Sequence, residues 1–139
     1  MKISILTPTY NRANLLTNLY NSLVKNSNYG LEIEWLIMDD GSTDNTQSVV
    51  ENFIKQNKID IKYFKQENQG KMVAINNLVE KTTGELIVDC DSDDYFSDDA
   101  FKIIKESYEK YPNENQELYG MCFLKYDTKG QNMGQLFKN

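Results

Sequence analysis

Short apolar runs alternate with longer amphipathic segments along most of the chain, and this alternation restricts the possible folds more than any other feature of the sequence. The runs have the length and composition of buried strands, whereas the segments between them place apolar residues at helical spacing. The predicted strands are residues 2–7, 34–38, 59–64 and 86–88. Strands that alternate with helices are typical of an open, mostly parallel sheet with helices on its faces. The sequence therefore predicts a Rossmann-like α/β fold.

Capping signals mark where the predicted helices begin. Asn11 is the predicted N-cap of the first helix. Asp44 and Gln47 have the spacing of a capping box, which predicts the start of the second helix. Residues 72–81 are the third predicted helix, and Ser97 is the predicted cap of a fourth. The apolar faces predicted for the first three helices are Leu15, Leu16, Leu19, Leu23 and Val24; Val49, Val50, Phe53 and Ile54; and Ile75, Leu78 and Val79.

The last part of the sequence predicts one further strand and a turn. Residues 118–126 are strand-like, and residues 127–130 (DTKG) predict a hairpin turn that returns toward Phe137. Cys90 and Cys122 both lie in strand-like settings, so we expect reduced core residues and not a disulfide or a zinc pair.

Composition and charge exclude several classes of function. A length of 139 residues suits a single domain with its own core. The net charge of −6 argues against a nucleic-acid groove, which needs a basic stripe. The absence of histidine excludes a Ser-His triad and histidine metal ligands. No apolar run approaches the roughly 20 residues that cross a bilayer, and no signal-peptide core follows Met1, which predicts a cytoplasmic location.

Two groups of acidic residues follow predicted strands. Asp39, Asp40 and Asp44 form the first group; Asp89, Asp91, Asp93, Asp94, Asp98 and Asp99 form the second. Acids at this density repel one another unless they spread into solvent or share a divalent cation. Hard oxygen ligands favour Mg²⁺ or Mn²⁺. Our interpretation is that Asp91-Ser92-Asp93 is a D-x-D bridge through a metal to a diphosphate; the alternative is a solvated acidic loop.

Three unusual loops are expected at one edge of the sheet, because each follows a parallel strand. They are residues 8–12, 40–42 and 91–93. In the first loop, Tyr10 offers a ring face to a nucleobase, or else it is a packing anchor. In the second, Asp40 accepts a hydrogen bond from a base N–H, or else it is a turn acid.

The residues nearest the predicted diphosphate are ionic. Asp93 is suited to ligate the metal directly, and Asp91 to reach it through water or to hold a ribose hydroxyl. Lys71 is a mobile cation that meets a phosphate, unless it is simply solvated.

Five ordered motifs of the sequence resemble those of family 2 glycosyltransferases. They are residues 8–12 (PTYNR), 38–44 (MDDGSTD), 68–76 (NQGKMVAIN), 83–86 (TGEL) and 91–94 (DSDD). The resemblance implies the GT-A fold and an inverting enzyme that moves a sugar from a nucleotide-diphosphate donor, with a UDP-sugar expected, to an acceptor hydroxyl. Many members carry arginine where this chain has Ile75, so no polar contact is expected from that position.

The resemblance also implies the roles of single residues. Pro8, Thr9 and Tyr10 would hold the nucleoside, Asp40 would bond the uracil imide, and Lys71 would approach the donor. The predicted nucleotide-binding residues are Pro8, Thr9, Tyr10, Arg12, Asp40, Lys71, Asp91 and Ser92, and the predicted metal ligands are Asp93 and Asp91.

The resemblance further implies the setting of the reaction. The acceptor would be a saccharide or a lipid-linked saccharide of surface polysaccharide assembly, at the inner face of the membrane. The acidic general base of this family lies beyond the D-x-D and has no identifiable counterpart here. We therefore expect residues 1–139 to be one donor-binding domain that is truncated before the acceptor-binding part, and a homodimer is an expected form.

Two other readings use the same kind of sheet. A nucleotidyltransferase would carry a glycine-rich phosphate loop after the first strand, and residues 8–12 contain no glycine. A non-catalytic receiver-like module would hold Mg²⁺ on the paired acids Asp39 and Asp40.

Overall fold

The computed structural model of the chain describes residues 1–110 and 123–133. Met1–Glu106 form one compact unit and Ser107–Asn139 form another. The strands are β1 (Lys2–Thr9), β2 (Glu32–Asp39), β3 (Asp60–Lys65) and β4 (Leu86–Asp89), and the helices are α1 (Ala13–Asn26), α2 (Thr46–Gln56), α3 (Lys71–Val79) and α4 (Ala100–Lys110). No helix in these described ranges is long and apolar enough to cross a membrane.

The described strands form one parallel sheet in the order β3-β2-β1-β4. The chain adds β2 and β3 on one side of β1 and then crosses back to place β4 on the other side. The order therefore reverses between β1 and β4, which is where open α/β sheets bind ligands. The predicted α/β architecture is confirmed.

Strand residues alternate between two cores, one on each face of the sheet, because successive side chains of a strand point in opposite directions. Ile5 and Trp35 face the larger core with α1, α2 and α4, where the rings of Tyr20 and Phe53 stack with centroids 4.2 Å apart. Leu6 and Leu36 face the smaller core, which Ala74 and Leu78 of α3 complete. A strand buried on both faces explains the near-continuous apolar runs in the sequence.

β1 is longer than predicted, because it continues through Pro8 to Thr9 instead of ending at Pro8. Cys90 N–H donates to Leu6 O, so even-numbered residues of β1 turn their backbone groups toward β4. The pairing with β4 ends at Leu6↔Asp89. The Pro8 nitrogen faces the β4 side of β1, beyond the last residue that pairs with β4. Its missing N–H therefore removes no hydrogen bond between these two strands.

The predicted Asn11 cap of α1 and the predicted Asp44–Gln47 capping box of α2 are both wrong. The Asn11 side chain accepts from the N–H groups of Thr43 at 2.8 Å and Asp44 at 3.2 Å. Gln47 donates to Glu51 at 3.0 Å and forms no capping box. Asp44 still serves two helix starts, since its carboxylate accepts from Thr46 N–H at 3.0 Å and from Ala13 N–H at 3.3 Å.

Other predictions of the sequence have mixed outcomes. Ile54 is 40% exposed and Val79 is 43% exposed, so neither belongs to the buried face of its helix. Ser97 lies at the start of α4, where its backbone oxygen accepts from Ala100 N–H at 3.2 Å. This bond involves the backbone of Ser97 and is not the side-chain cap that the sequence predicted. Cys90 is buried, as expected of a core residue.

The end of the chain is described only in part. Asp127 accepts from Gly130 N–H at 3.0 Å, and Tyr126 pairs with Asn132 in an antiparallel bridge, which confirms the predicted turn. Residues 123–125 of the predicted strand form no strand, and Tyr126 takes part only in the isolated bridge. Residues 118–122, with Cys122 and Phe137, lie outside the described residues.

Glu34 is a buried charge near the amino edge of the sheet, with a side-chain exposure of 0%. It accepts from Lys62 Nζ at 2.8 Å, Ser4 Oγ at 2.5 Å and Thr83 N–H at 2.6 Å. Lys2 Nζ lies 3.3 Å away. Burial alone would raise the pKa of Glu34, but Lys62, Ser4 and Thr83 outweigh it and hold the pKa far below its ordinary value.

Thr83 and Gly84, just before β4, connect this strand to Glu34 and Ser4 through hydrogen bonds. Gly84 N–H donates to Ser4 Oγ at 2.9 Å, and a Cβ on Gly84 would lie 2.6 Å from that oxygen. Only a residue without a side chain fits this contact. The motif at residues 83–86 therefore fixes where the short strand β4 starts, and with it where the acids after β4 emerge.

Candidate functional site

A cleft of about 240 Å³ lies at the carboxyl edge of the sheet, beside the reversal of strand order. Every predicted nucleotide-binding and metal-binding residue lines it: Pro8, Thr9, Tyr10, Arg12, Asp40, Lys71, Asp91, Ser92 and Asp93. They come from the ends of β1, β2 and β4 and from the start of α3. The sheet topology thus assembles in space what the sequence keeps more than 80 residues apart between Pro8 and Asp91.

Reciprocal hydrogen bonds join the loops after β1 and β2. Asn11 N–H donates to Ser42 Oγ at 2.9 Å, while the Asn11 side chain accepts from Thr43 N–H. Asp39, fully buried, accepts from Ser42 N–H at 2.7 Å and from the Tyr63 hydroxyl. Asn11 adopts a φ of 50°, which short polar residues tolerate. This clamp holds Tyr10 and Arg12, on either side of Asn11, at the cleft.

Asp40 organises the loop between β3 and α3. Its carboxylate accepts from Gln66 Nε2 at 2.9 Å, Gln69 N–H at 2.8 Å and Gly70 N–H at 2.9 Å. Burial alone would raise the pKa of Asp40, but these donors outweigh it and hold the pKa below its ordinary value. Asp40 therefore stays ionised, and of the roughly four acceptor positions of a carboxylate one remains.

Gly41, just after β2, allows the loop between β3 and α3 to approach it closely. Its φ is 87°, and a Cβ there would lie 3.1 Å from Asn68 N. Gln66 is the residue of this region that the sequence reasoning missed, because it lies in a polar stretch with no motif around it. Its side-chain oxygen accepts from Asn77 Nδ2 at 2.8 Å, so Gln66 connects Asp40 to α3.

The acids after β4 form a compact group that faces two cations. Oxygens of Asp91, Asp93 and Asp94 lie within 4.8 Å of one another. Arg12 Nη1 lies 2.8 Å from Asp93 Oδ2, and Lys71 Nζ lies 2.5 Å from Asp91 Oδ1. All four side chains of these two pairs are at least 36% exposed, so the pairs lie open to solvent. This arrangement suits a polar, charged ligand.

Asp89, the last residue of β4, belongs to the same electrostatic environment. Partial burial raises its pKa, Lys71 opposes that rise, and the neighbouring Asp91 and Asp94 add to it. The sequence placed Asp89 in the acidic group but gave it no role.

Thr9 Oγ1 is a buried polar atom at the wall of the cleft. Thr9 is 3% exposed, and its hydroxyl has no hydrogen-bond partner among the described residues. Buried polar groups are nearly always paired with protein, water or ligand, which makes this hydroxyl a candidate for such a contact. Tyr10, by contrast, is 47% exposed and offers its ring to the cleft.

The donor set of the acidic group fits a hard divalent cation. Three carboxylates supply oxygen ligands only, and their oxygens lie close enough to share one ion. Mg²⁺ and Mn²⁺ prefer such ligands, whereas zinc sites use nitrogen and sulfur far more.

Comparison with known sequences identifies relatives. The sequence model of Glycosyl transferase family 2 matches residues 4–118. A glycosyltransferase of Mycoplasma genitalium is 40% identical over 114 residues, which cover 79% of this chain and 38% of the relative. Poly(ribitol-phosphate) beta-N-acetylglucosaminyltransferase TarS of Staphylococcus aureus is 36% identical over 104 residues, which cover 73% of this chain and 18% of TarS. The chain spans less than half the length of these relatives.

Comparison with solved structures supports the same relationship. TarS 1-349 of S. aureus in complex with UDP-GlcNAc superposes with a TM-score of 0.71 at 33% identity, covering 81% of this chain and 32% of that one. A mannosyltransferase from Pyrobaculum calidifontis in complex with GDP-Man and Mn²⁺ gives a TM-score of 0.63 at 27% identity, covering 70% and 29%. The predicted GT-A fold is confirmed.

Proposed function

The chain belongs to glycosyl transferase family 2, and from that membership we propose that it is the donor-binding part of an inverting, metal-dependent enzyme that uses a UDP-sugar. The observation that carries the proposal is the convergence of all nine predicted residues on one cleft. A solvated acidic loop would not require Tyr10, Asp40 and Lys71 to meet the acids of a distant strand.

The cleft divides into a nucleoside half and a diphosphate half. In the nucleoside half, the Tyr10 ring stacks on the base, Thr9 Oγ1 gains a partner, and Asp40 uses its remaining acceptor position for an imide N–H. Pro8 supports this wall through β1. Uracil suits this half, because its imide N–H can donate to the carboxylate of Asp40.

In the diphosphate half, Asp93 and Asp91 would hold the metal, with Ser92 between them. Asp94 completes the acidic group. A bound divalent cation supplies Lewis-acid neutralisation of the leaving diphosphate. The chain's own residues orient the donor here, because Arg12 and Lys71 bring positive charge to the same place.

The relatives favour a uridine donor over the alternatives. TarS, at 33% identity, has been solved with UDP-GlcNAc, whereas the mannosyltransferase solved with GDP-Man is 27% identical. Because a relative has been solved with GDP-Man, although at lower identity, a guanine donor is the second candidate. The nucleotidyltransferase and receiver-like readings predict neither the family match nor these complexes.

The proposal extends to the activity of a whole protein of the relatives' kind, of which this chain covers 38% in the M. genitalium relative and 18% in TarS. Such a protein would transfer the sugar to a saccharide or lipid-linked saccharide in surface polysaccharide assembly, from the cytoplasmic side of the membrane, and as a homodimer. Similarity to TarS, a poly(ribitol-phosphate) beta-N-acetylglucosaminyltransferase, supports an acceptor from a surface polymer. The general base would come from outside residues 1–139.

A thermal-shift panel tests the choice of nucleotide. UDP, GDP and dTDP are each added with and without Mn²⁺, and the unfolding temperature of the chain is measured. We expect UDP with Mn²⁺ to give the largest increase, dTDP a smaller one and GDP the smallest. The largest increase with GDP would reject the role of Asp40, and an increase with Mn²⁺ alone that no nucleotide enlarges would favour the receiver-like alternative.

A further inference from the structure

The acids that would hold the metal are already paired with cations of the chain itself. Arg12 Nη1 lies 2.8 Å from Asp93 Oδ2, and Lys71 Nζ lies 2.5 Å from Asp91 Oδ1. The two cations come from different elements, the loop after β1 and the first residue of α3. The same two acids cannot keep both cations and accept a divalent ion without strong repulsion between the positive charges.

Resting on the proposed function, we propose that Arg12 and Lys71 are exchangeable counter-ions. The metal takes their places on Asp93 and Asp91, and the displaced guanidinium and ammonium groups bind the diphosphate of the donor. No bond to carbon, phosphorus or hydrogen changes in this step; only ionic partners are exchanged.

The charges in the cleft support the exchange. Arg12 and Lys71 balance Asp93 and Asp91 before any ligand arrives. A divalent cation adds positive charge, which a diphosphate diester then neutralises. Asp91, Asp93, Arg12 and Lys71 therefore each have an opposite charge beside them both before and after binding.

Both basic side chains of these pairs are partly exposed to solvent. The Arg12 side chain is 46% exposed and that of Lys71 is 51% exposed. Exposed ion pairs contribute little stability, so breaking them costs little. The planar guanidinium of Arg12 also matches the geometry of phosphate oxygens.

The proposal predicts opposite effects of one substitution on two ligands. Arg12→Gln removes a competitor of the metal and also removes a partner of the diphosphate. We expect Mn²⁺ alone to bind about two- to fivefold more tightly, the equivalent of one exposed ion pair. We expect UDP, with Mn²⁺ saturating, to bind on the order of tenfold more weakly, as for a lost charged hydrogen bond. A merely structural role would weaken both.

The experiment measures free Mn²⁺ by electron paramagnetic resonance and UDP binding by calorimetry. Lys25→Gln is the matched control, because Lys25 forms an exposed pair with Asp98 at 2.6 Å and lies outside the cleft lining. It removes the same formal charge and should leave both affinities nearly unchanged. Thermal melting checks that the variants fold; if Arg12→Gln does not fold, Lys71→Gln carries the same test.

The outcomes separate this proposal from the proposed function. Tighter Mn²⁺ binding together with weaker UDP binding by Arg12→Gln supports the exchange. Unchanged or weaker Mn²⁺ binding overturns it, and so does tighter Mn²⁺ binding with unchanged UDP binding. In both of those cases the proposed function stands as long as the wild-type chain binds UDP with Mn²⁺. Failure of the wild-type chain to bind UDP rejects the proposed function itself.

Discussion

Glu34 near the amino edge of the sheet and the acids Asp91 and Asp93 at the carboxyl edge lie in opposite environments. Near the amino edge, Glu34 is fully buried and accepts hydrogen bonds from Lys62, Ser4 and Thr83. At the carboxyl edge, the side chains of Asp91 and Asp93 are 36% and 46% exposed, and each faces one exposed cation. Glu34, which the protein surrounds with donors, stabilises the fold, whereas Asp91 and Asp93 stay open to a ligand.

The difference also shows how the two edges depend on each other. Glu34 accepts a hydrogen bond from Thr83 N–H, and this bond fixes the start of β4. The strand β4 is only 4 residues long. Because the strand is short, an error at its start would displace the acids at its end. The buried carboxylate of Glu34 thus positions the exposed acids that follow β4.

The largest expected effect is the loss of stability in Glu34→Ala. Removing this acid leaves Lys62 and the Thr83 N–H without their buried partner, which should lower the free energy of unfolding by about 3 to 5 kcal/mol. Urea unfolding followed by the fluorescence of the buried Trp35 measures it. Glu32→Ala is the control: Glu32 is 70% exposed beside Lys2, so about 0.5 kcal/mol or less is expected. Equal losses in both variants would remove the distinction between buried and exposed acids.

Asp93→Ala should affect binding and leave stability alone. We expect the affinity for UDP with Mn²⁺ to fall by about 1 to 3 kcal/mol, the value of a lost charged contact. The free energy of unfolding should change by about 0.5 kcal/mol or less, because the side chain is exposed. Calorimetry and urea unfolding measure the two quantities. Asp98→Ala, which removes an equally charged residue that is 73% exposed, should alter neither; a matching loss of affinity there would mean that only net charge matters.

Tyr10→Ala tests the nucleoside half of the cleft separately from the acidic group. Loss of base stacking should weaken UDP binding by about 1 to 2 kcal/mol. The metal affinity, measured with Mn²⁺ alone, should not change, since the ring supplies no ligand oxygen to the acidic group. Tyr95→Ala is the control, because Tyr95 is 54% exposed and does not line the cleft. If both tyrosine variants bind UDP like the wild type, the nucleoside does not lie on Tyr10.

The smallest expected effect is a dependence of stability on pH that belongs to Glu34. Because the folded pKa of Glu34 is depressed, its contribution is fully present above the unfolded pKa of about 4.3 and is lost as the pH falls toward the folded value. The difference in unfolding free energy between the wild type and Glu34→Gln should therefore narrow by on the order of 1 kcal/mol between pH 7 and pH 3. Taking the difference cancels the similar slopes of Asp40 and Asp44, whose pKa values are also lowered. A constant difference across this range would contradict the account of Glu34.

The sequence predicted the sheet and the cleft because both follow from regular periodicity. Apolar runs and helical spacing gave the order of the elements, and the carboxyl ends of parallel strands must share one edge. Tyr10, Asp40 and Asp93 could therefore be placed together without coordinates. The starts of the helices could not be predicted in this way, since Asn11 bonds to the loop after β2 and Asp44 bonds to the start of α1, and only the fold brings these groups together.

The role of Glu34 was also beyond the sequence. Glu32 and Glu34 lie on the same side of β2 and look equivalent in the stretch E-I-E. Folding brings Lys62 and Thr83 to Glu34 and leaves Glu32 exposed to solvent. Gln66, in the same way, gains its role from Asp40 after folding.

The central claim is that the exposed acids act through a cation shared with a diphosphate. The direct measurement is a calorimetric titration of UDP into the folded chain, once with Mn²⁺ and once after complete removal of divalent ions by EDTA. The account predicts saturable binding with Mn²⁺ and its loss, or a decrease of at least about tenfold, in EDTA. Equal affinity in the two titrations would contradict it.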